Sequence, residues 1–383
     1  CYLVNENLSL DDGTVIAEAG VVLQFATDLS FAIKAGGQLK LAGTAAAPVR
    51  LTSQDPVMTW QGVRMDDSQG SDNSWTYAEI DRAGSKKWSG AAYADAAVYL
   101  EGSTIVKMDN VTISNSKSHG LMVFKDVDLT FTSGTFEGNL TPAYLHPQVA
   151  DAVAADAVFT DNTNDYIRLV FGNNDTVEGS HSWPPHRYRV EDRFYVAGDL
   201  TIEPGAVLEF AQEVSMIVNV GATLTAKGTA EKMITFKGAA NTRGFWQGIQ
   251  IKSGGVGTPA TIGATFDHCM ISDAGGANWS GAPESKASLY LDDTSAAMIT
   301  NTTFNTTVSV TFSNVVVINN KGGEGAGITL RASAGSINTL IENSAILENI
   351  SQITQNPETS SITSDYKSIG GGILVGENAT LTI

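Results

Sequence analysis

Short alternating apolar runs, Gly- and Asn-rich turns between them, and a long internal duplication predict an all-β fold. The specific expectation is a right-handed, single-stranded parallel β-helix, a solenoid. The alternation shows in Leu200-x-Ile202, Leu208-x-Phe210, Leu224-x-Ala226, Ile234-x-Phe236 and Ile249-x-Ile251. Most of these sets run into a turn with Gly, Asn or Asp, which marks a short strand with one buried face. No segment sustains a helical period. The nearest is the alanine-rich stretch 148–157, room for two helical turns at most.

The duplication is read residue by residue. Gly20-Val21-Val22-Leu23-Gln24-Phe25 recurs as Gly205-Ala206-Val207-Leu208-Glu209-Phe210, and Val49 recurs as Ile234. Trp60-Gln61-Gly62-Val63 returns as Trp246-Gln247-Gly248-Ile249. Farther on, Ala83-Gly84, Trp88-Ser89-Gly90 and Tyr99-Leu100 return as Ala274-Gly275, Trp279-Ser280-Gly281 and Tyr290-Leu291. Residues 1–140 are thus the first block and 191–310 the second. Between them, 141–190 are connecting coils in which Pro142, Pro147, Pro184 and Pro185 are expected to break strand pairing.

Residues 311–383 carry another repeat, in which an Asn-ended strand is followed by a Gly-rich turn. Val315-Val316-Val317-Ile318-Asn319-Asn320 precedes Gly325-Ala326-Gly327-Ile328, and Ala345-Ile346-Leu347-Glu348-Asn349 precedes Gly370-Gly371-Gly372-Ile373. Stacking coils of twenty-odd residues at ~4.8 Å per coil would give a rod on the order of 75 Å. Leu381-Thr382-Ile383 reads as strand with no cap. The expectation is that the protein continues there, or that another chain covers the end in an end-to-end contact.

Composition narrows the function classes. The net charge of −18 argues against nucleic acid or an anionic membrane surface as partner. Two cysteines, Cys1 and Cys269, make no disulfide framework or zinc cluster. No run of 18 apolar residues exists, so no transmembrane helix is expected. An extracellular or cell-surface location is expected, with any leader already removed. Cys1 is either the acylated first residue of an outer-membrane lipoprotein or an ordinary terminal thiol.

Leu200-Thr201-Ile202-Glu203-Pro204-Gly205, Leu224-Thr225-Ala226-Lys227-Gly228-Thr229 and Trp246-Gln247-Gly248-Ile249 carry a family resemblance. They resemble the pattern of bacterial right-handed β-helix surface proteins, related in fold to pectate lyases. The Asn-ended strand followed by Gly-Gly-Gly-Ile is similar to repeats of chlamydial polymorphic outer-membrane proteins and other bacterial adhesins. The resemblance implies the architecture and a surface or adhesion role. It supplies no catalytic residue, because the same fold hosts lyases, hydrolases, tailspikes and adhesins.

Three function classes follow. The first is a non-catalytic surface β-helix that contacts an extracellular glycan or a host or neighbour surface protein. The second is a polysaccharide lyase or glycoside hydrolase, with Arg64, Asp66 and Asp67 as catalytic candidates, since Arg64 and Asp66 share a strand face. The third is a structural filament subunit. Asp66, Asp67 and Asp72 are the candidate ligands of a calcium ion, against the alternative of a solvated acidic loop. The equivalent loop of the second block, from Lys252 to Gly257, has no acid. Trp88, Tyr93 and Trp279 are the ligand-binding candidates, because an exposed indole or phenol offers a flat face to a sugar ring. The opposing reading is that each Trp folds back over the coil below. His119 reads as a turn residue, and His181 and His186 as exposed flanks of Trp183-Pro184-Pro185. Sequons such as that at Asn139 carry no inference of glycosylation.

Overall fold

The structure, a computed structural model, describes residues 1–90, 94–169, 172, 175–252 and 263–277, and beyond these the backbone of strands between 289 and 382. The protein is all-β, and every described strand pair is parallel. That arrangement is compatible with a β-helix. The chain divides into two compact units, Cys1–Phe171 and Gly172–Ile383, with the division inside the proline-bearing stretch 141–190.

In the first unit the chain visits three ladders in turn, so each strand pairs with the third one on until, near the end, a short turn replaces a strand and the pairing is with the second one on. The first ladder joins Tyr2–Val4, Val22–Phe25, Val49–Ser53, Ala78–Asp81, Thr112–Ser114, Thr135–Glu137 and Val158–Thr160. A second ladder joins Leu8–Leu10, Ser30–Ile33, Gly62–Asp66, Ala96–Glu101, His119–Val123, Thr141–Leu145 and Ile167–Leu169. The third joins Gly13–Glu18, Gly37–Ala42, Ser74–Thr76, Ile105–Asp109 and Asp128–Thr132. At its end a 3₁₀ turn, Pro147–Ala152, takes the place of a strand, and Val153 makes a parallel bridge to Phe131. The alanine-rich stretch therefore makes this short turn and nothing longer. Its start is capped by the His146 ring, which accepts from the Gln148 N–H at 3.0 Å.

Alternation places one row of each strand inside. On the second ladder that row includes Val63, Met65, Val98, Leu100, Leu121, Val123, Ala143 and Leu145, all fully buried. Each aliphatic side chain so buried contributes roughly 1.5–3 kcal/mol. Pro142 does not break this ladder but lies inside Thr141–Leu145. The neighbouring Gly120 accommodates it, since a Cβ there would meet the Pro142 carbonyl oxygen at 2.6 Å.

Corners repeat as well. Arg82, Asn115, Gly138 and Asp161 each follow a strand of the first ladder, with φ of 53°, 53°, 64° and 54°. Left-handed conformation costs a non-glycine residue about 1 kcal/mol, and at Asn115 a side-chain bond to Asp81 Oδ1 at 2.9 Å offsets it.

The second unit is built the same way. Seven-stranded ladders begin at Asp175–Val177 and at Ser180–Trp183, and Arg187–Val190, Val207–Phe210, Ile234–Gly238 and Cys269–Ser272 form part of another. Its duplicated residues repeat their contacts. Trp60 stacks on Phe25 at 4.1 Å and donates to the Asp81 carbonyl, while Trp246 stacks on Phe210 at 4.1 Å and donates to the Ser272 carbonyl. Pro184 and Pro185 follow a strand that ends at the fully buried Trp183, and His186 is buried rather than exposed. The Asn-ended repeats appear as paired strands such as Val316–Ile318 with Ala345–Leu347. Their Asn and Gly turns, and Ile383, lie outside the described residues. Among the described residues no helix is long and apolar enough to cross a membrane.

Candidate functional site

Of the sequence candidates of the first block, Arg64, Asp66 and Trp88 come together along the second ladder. Register aligns Ser9, Ala32, Arg64, Tyr99, Met122, Tyr144 and Arg168 in one row across adjacent strands. They alternate with the buried interior row, so this row lies on the opposite side of the sheet. An arginine stands at either side of an aromatic and thioether centre. Arg168 lies over the Tyr144 ring, 5.5 Å from its centroid.

Arg64 is clamped by two carboxylates. Its Nη2 donates to Asp66 Oδ2 at 3.0 Å, and both Nε and Nη2 reach Glu101 Oε1. Asp66 and Glu101 are register partners, which brings residues far apart in sequence onto one guanidinium. Burial pushes the Glu101 carboxyl above its ordinary range, against the opposing pull of Arg64.

Asp67 and Asp72 point to other tasks. Asp67 sits in the left-handed region at φ 55°, and its Oδ1 accepts the Ser103 N–H at 2.8 Å. The turn opposite needs Gly102, whose φ is 60° and whose added Cβ would come within 2.3 Å of Asp67 Oδ1. Asp72 is exposed and is held through its N–H, which donates to Gln38 Oε1 at 3.0 Å. The loop is pinned from below by buried Ser68 and Asn73: Ser68 Oγ donates to the Gly37 carbonyl at 2.6 Å and Asn73 Nδ2 donates to Ser68 Oγ at 2.7 Å. Asp66, Asp67 and Asp72 are not gathered into a metal-holding set, and no such group of His, Cys, Asp or Glu occurs among the described residues.

Trp88 folds back onto the outer row. It packs against a buried cluster of Ala94, Ala96, Tyr99, Met122 and Tyr144, with Phe124 beside it. Its ring centre lies 6.1 Å from that of Tyr99, and its Nε1–H donates to the Ala96 carbonyl at 3.0 Å. The indole stays half-buried, so part of it faces solvent. Tyr93 and Trp279 lie outside the described residues.

Sequence reasoning missed Glu101, Tyr99 and Phe124. Pairing between separate strands sets Glu101 opposite Asp66 and Tyr99 opposite Arg64, and no spacing in the sequence announces it. In the second copy the same rows hold Gln250 and Lys252, with Asp292 in register with Lys252. That copy keeps a polar row but moves its cation two positions along the strand. Burial, with Arg193 nearby, holds the Lys252 ammonium below its usual range.

The remaining titratable candidates are structural in placement. His119 is buried against Tyr144, with ring centres 5.0 Å apart, and burial pushes it down to about 4. Cys269 is buried, and burial pushes its thiol up to about 12, far from a nucleophile's range. Cys1 is exposed.

Comparison with known proteins gives no kinship: no family model, no curated protein and no solved structure matches the chain. What the geometry itself defines is an all-β protein of parallel ladders, with a polar clamp and an aromatic cluster side by side on one ladder.

Proposed function

We propose that the ladders are coils of a right-handed parallel β-helix that works outside the cell or on its surface as a non-catalytic, glycan-binding adhesion protein. The observation that carries the reading is the half-buried Trp88 packed on Tyr99, the register partner of the clamped Arg64. A sugar ring stacks on an indole while its hydroxyls take hydrogen bonds from a guanidinium and give them to carboxylates. The clamp also counts against turnover through Arg64. Its guanidinium donors are taken up by Asp66 and Glu101.

One observation favours the second reading, a glycoside hydrolase. Glu101, with its raised carboxyl, stands next to Asp66, and an acid–carboxylate pair is what glycosidic cleavage needs. A glycan array combined with a polysaccharide-depolymerisation screen, each with and without Ca²⁺, separates the two. Retention of a glycan without release of fragments, weakened at least tenfold in Trp88→Ala, is the expected result. Released oligosaccharides would overturn the non-catalytic reading.

A further inference from the structure

In the second unit a buried amide stands without a partner. Gln250 lies at the middle of strand Gly248–Lys252 and is 3% exposed, yet its Nε2 makes no hydrogen bond. Buried amides are nearly always paired, so a bare one calls for a physical reason. Its side of the sheet is the outer one. Ile249 and Ile251 on either side of it are buried in the interior row, in register with Met216 and Val218.

Register gives Gln250 a defined set of neighbours. Tyr195, Ile217 and Gln250 are successive partners in one outer row. Ser215, Ile217 and Gln250 form its buried floor, while Arg193, Tyr195 and Lys252 stay half-buried. Lys252 reaches back across the row, so that its Nζ lies 5.1 Å from the centre of the Tyr195 ring. Among the described residues no carboxylate pairs with this ammonium. Burial and Arg193 hold it below its usual range, with no acid among the causes. Arg193 is held by neutral oxygens, its Nε donating to Ser215 Oγ at 2.8 Å and its Nη2 to Gln247 Oε1 at 3.0 Å.

The first copy shows what has changed. There the equivalent positions hold Arg64 and Asp66, and the guanidinium is clamped by Asp66 and Glu101. In the second copy Gln250 replaces Arg64 and Lys252 replaces Asp66. Asp292 is in register with Lys252, as Glu101 is with Asp66. One acid then stands against two cations, and the charge of the row changes sign from negative to positive.

We propose that Gln250 and Lys252 form a binding site for a single carboxylate group carried by a small ligand. The Gln250 amide donates to one carboxylate oxygen and the Lys252 ammonium to the other. Tyr195 positions the ammonium, and Arg193 adds positive potential. A polyanion is disfavoured, because a chain of net charge −18 repels it everywhere else. The site belongs to the second unit and does not rest on the reading of the Arg64–Trp88 face.

The test is ligand-observed NMR titration of the full chain with glucuronate and benzoate, with glucose and benzamide as their uncharged counterparts. Binding of at least one acid and of neither neutral compound is expected. Glucuronate alone would mark a sugar acid, and benzoate alone an aromatic one. Gln250→Met removes the donor and keeps the volume. It should weaken binding at least tenfold, while the melting temperature of the free protein holds or rises because no bonded group is lost. Lys252→Gln, at a partly exposed position, should weaken binding likewise with little change in melting temperature. Binding of neither acid, equal binding of acids and neutral compounds, or undiminished binding in both folded variants would overturn the proposal. A Gln250→Met protein that melts lower would show that the amide already has a partner in the native chain, a bound water included, and would remove the premise.

Discussion

His119 makes the first unit sensitive to acid. Its ring is buried, and in the fold it takes a proton only near pH 4 rather than at its ordinary 6.5, chiefly because burial penalises the cation, with Arg168 adding to the effect and Asp95 opposing it. Between these values the unfolded chain binds a proton that the native one does not, so stability falls as pH drops through that window. At the lower end the loss is about 3 kcal/mol. Urea melts should therefore show a smaller drop from pH 7 to pH 4.5 in His119→Gln than in the wild type. Equal drops would mean that the ring is charged in the native state. Trp88 carries the second residue-scale prediction. Its indole covers Tyr99 and Met122 and donates one hydrogen bond, so Trp88→Ala should cost roughly 2 kcal/mol, less than for a fully buried indole. Trp88→Phe, which keeps most of the packing and loses the bond, should cost about 1 kcal/mol. A Trp88→Ala protein that melts like the wild type would show that the indole does not rest on this cluster.

At the scale of elements, corner side chains tie neighbouring strands of a ladder together by hydrogen bonds. Asn139 is fully buried. It accepts the Ser116 N–H at 3.0 Å and gives its own Nδ2 hydrogens to the Ile113 carbonyl at 2.9 Å and to Asn162 Oδ1 at 3.1 Å. Asn139→Ala strands a buried N–H and a buried carbonyl, so a loss of about 2–3 kcal/mol in denaturant melts is expected. The burial also explains why its sequon is no glycosylation site on the folded chain. Strands were legible in the sequence because their apolar alternation is local, and the duplication because Phe25 with Trp60 and Phe210 with Trp246 preserve one stacked contact. Register was not legible. Asp66 meets Glu101, and Glu209 meets Arg189 and Lys237, only through pairing between separate coils, and a slip of one residue would exchange outer and inner rows. The same gap explains Pro142, which reads as a strand breaker until Gly120 is seen beside it, and His186, which reads as a loop residue until burial places it.

For the molecule as a whole, the parallel ladders impose a particular kind of cooperativity. Each strand hydrogen-bonds only to the coils next to it, as in the first ladder that runs from Tyr2–Val4 to Val158–Thr160. Under the β-helix reading proposed above, stability is a sum of coil terms and nearest-neighbour terms rather than a property of one shared core. A defect in one coil is therefore felt mostly by its neighbours. Trp60 offers the sharpest place to introduce one, because it is fully buried, stacks on Phe25 of the preceding coil and donates to the Asp81 carbonyl of the following one at 2.9 Å. Trp60→Ala removes both links at once, at a cost of about 3–5 kcal/mol. Native-state hydrogen exchange should then show the greatest loss of protection in Val22–Phe25, Val49–Ser53 and Ala78–Asp81, with little change at the far end of the same ladder in Val158–Thr160. Uniform loss across the first unit would mean that its coils unfold as a single body, and the nearest-neighbour account of the ladder would have to be abandoned.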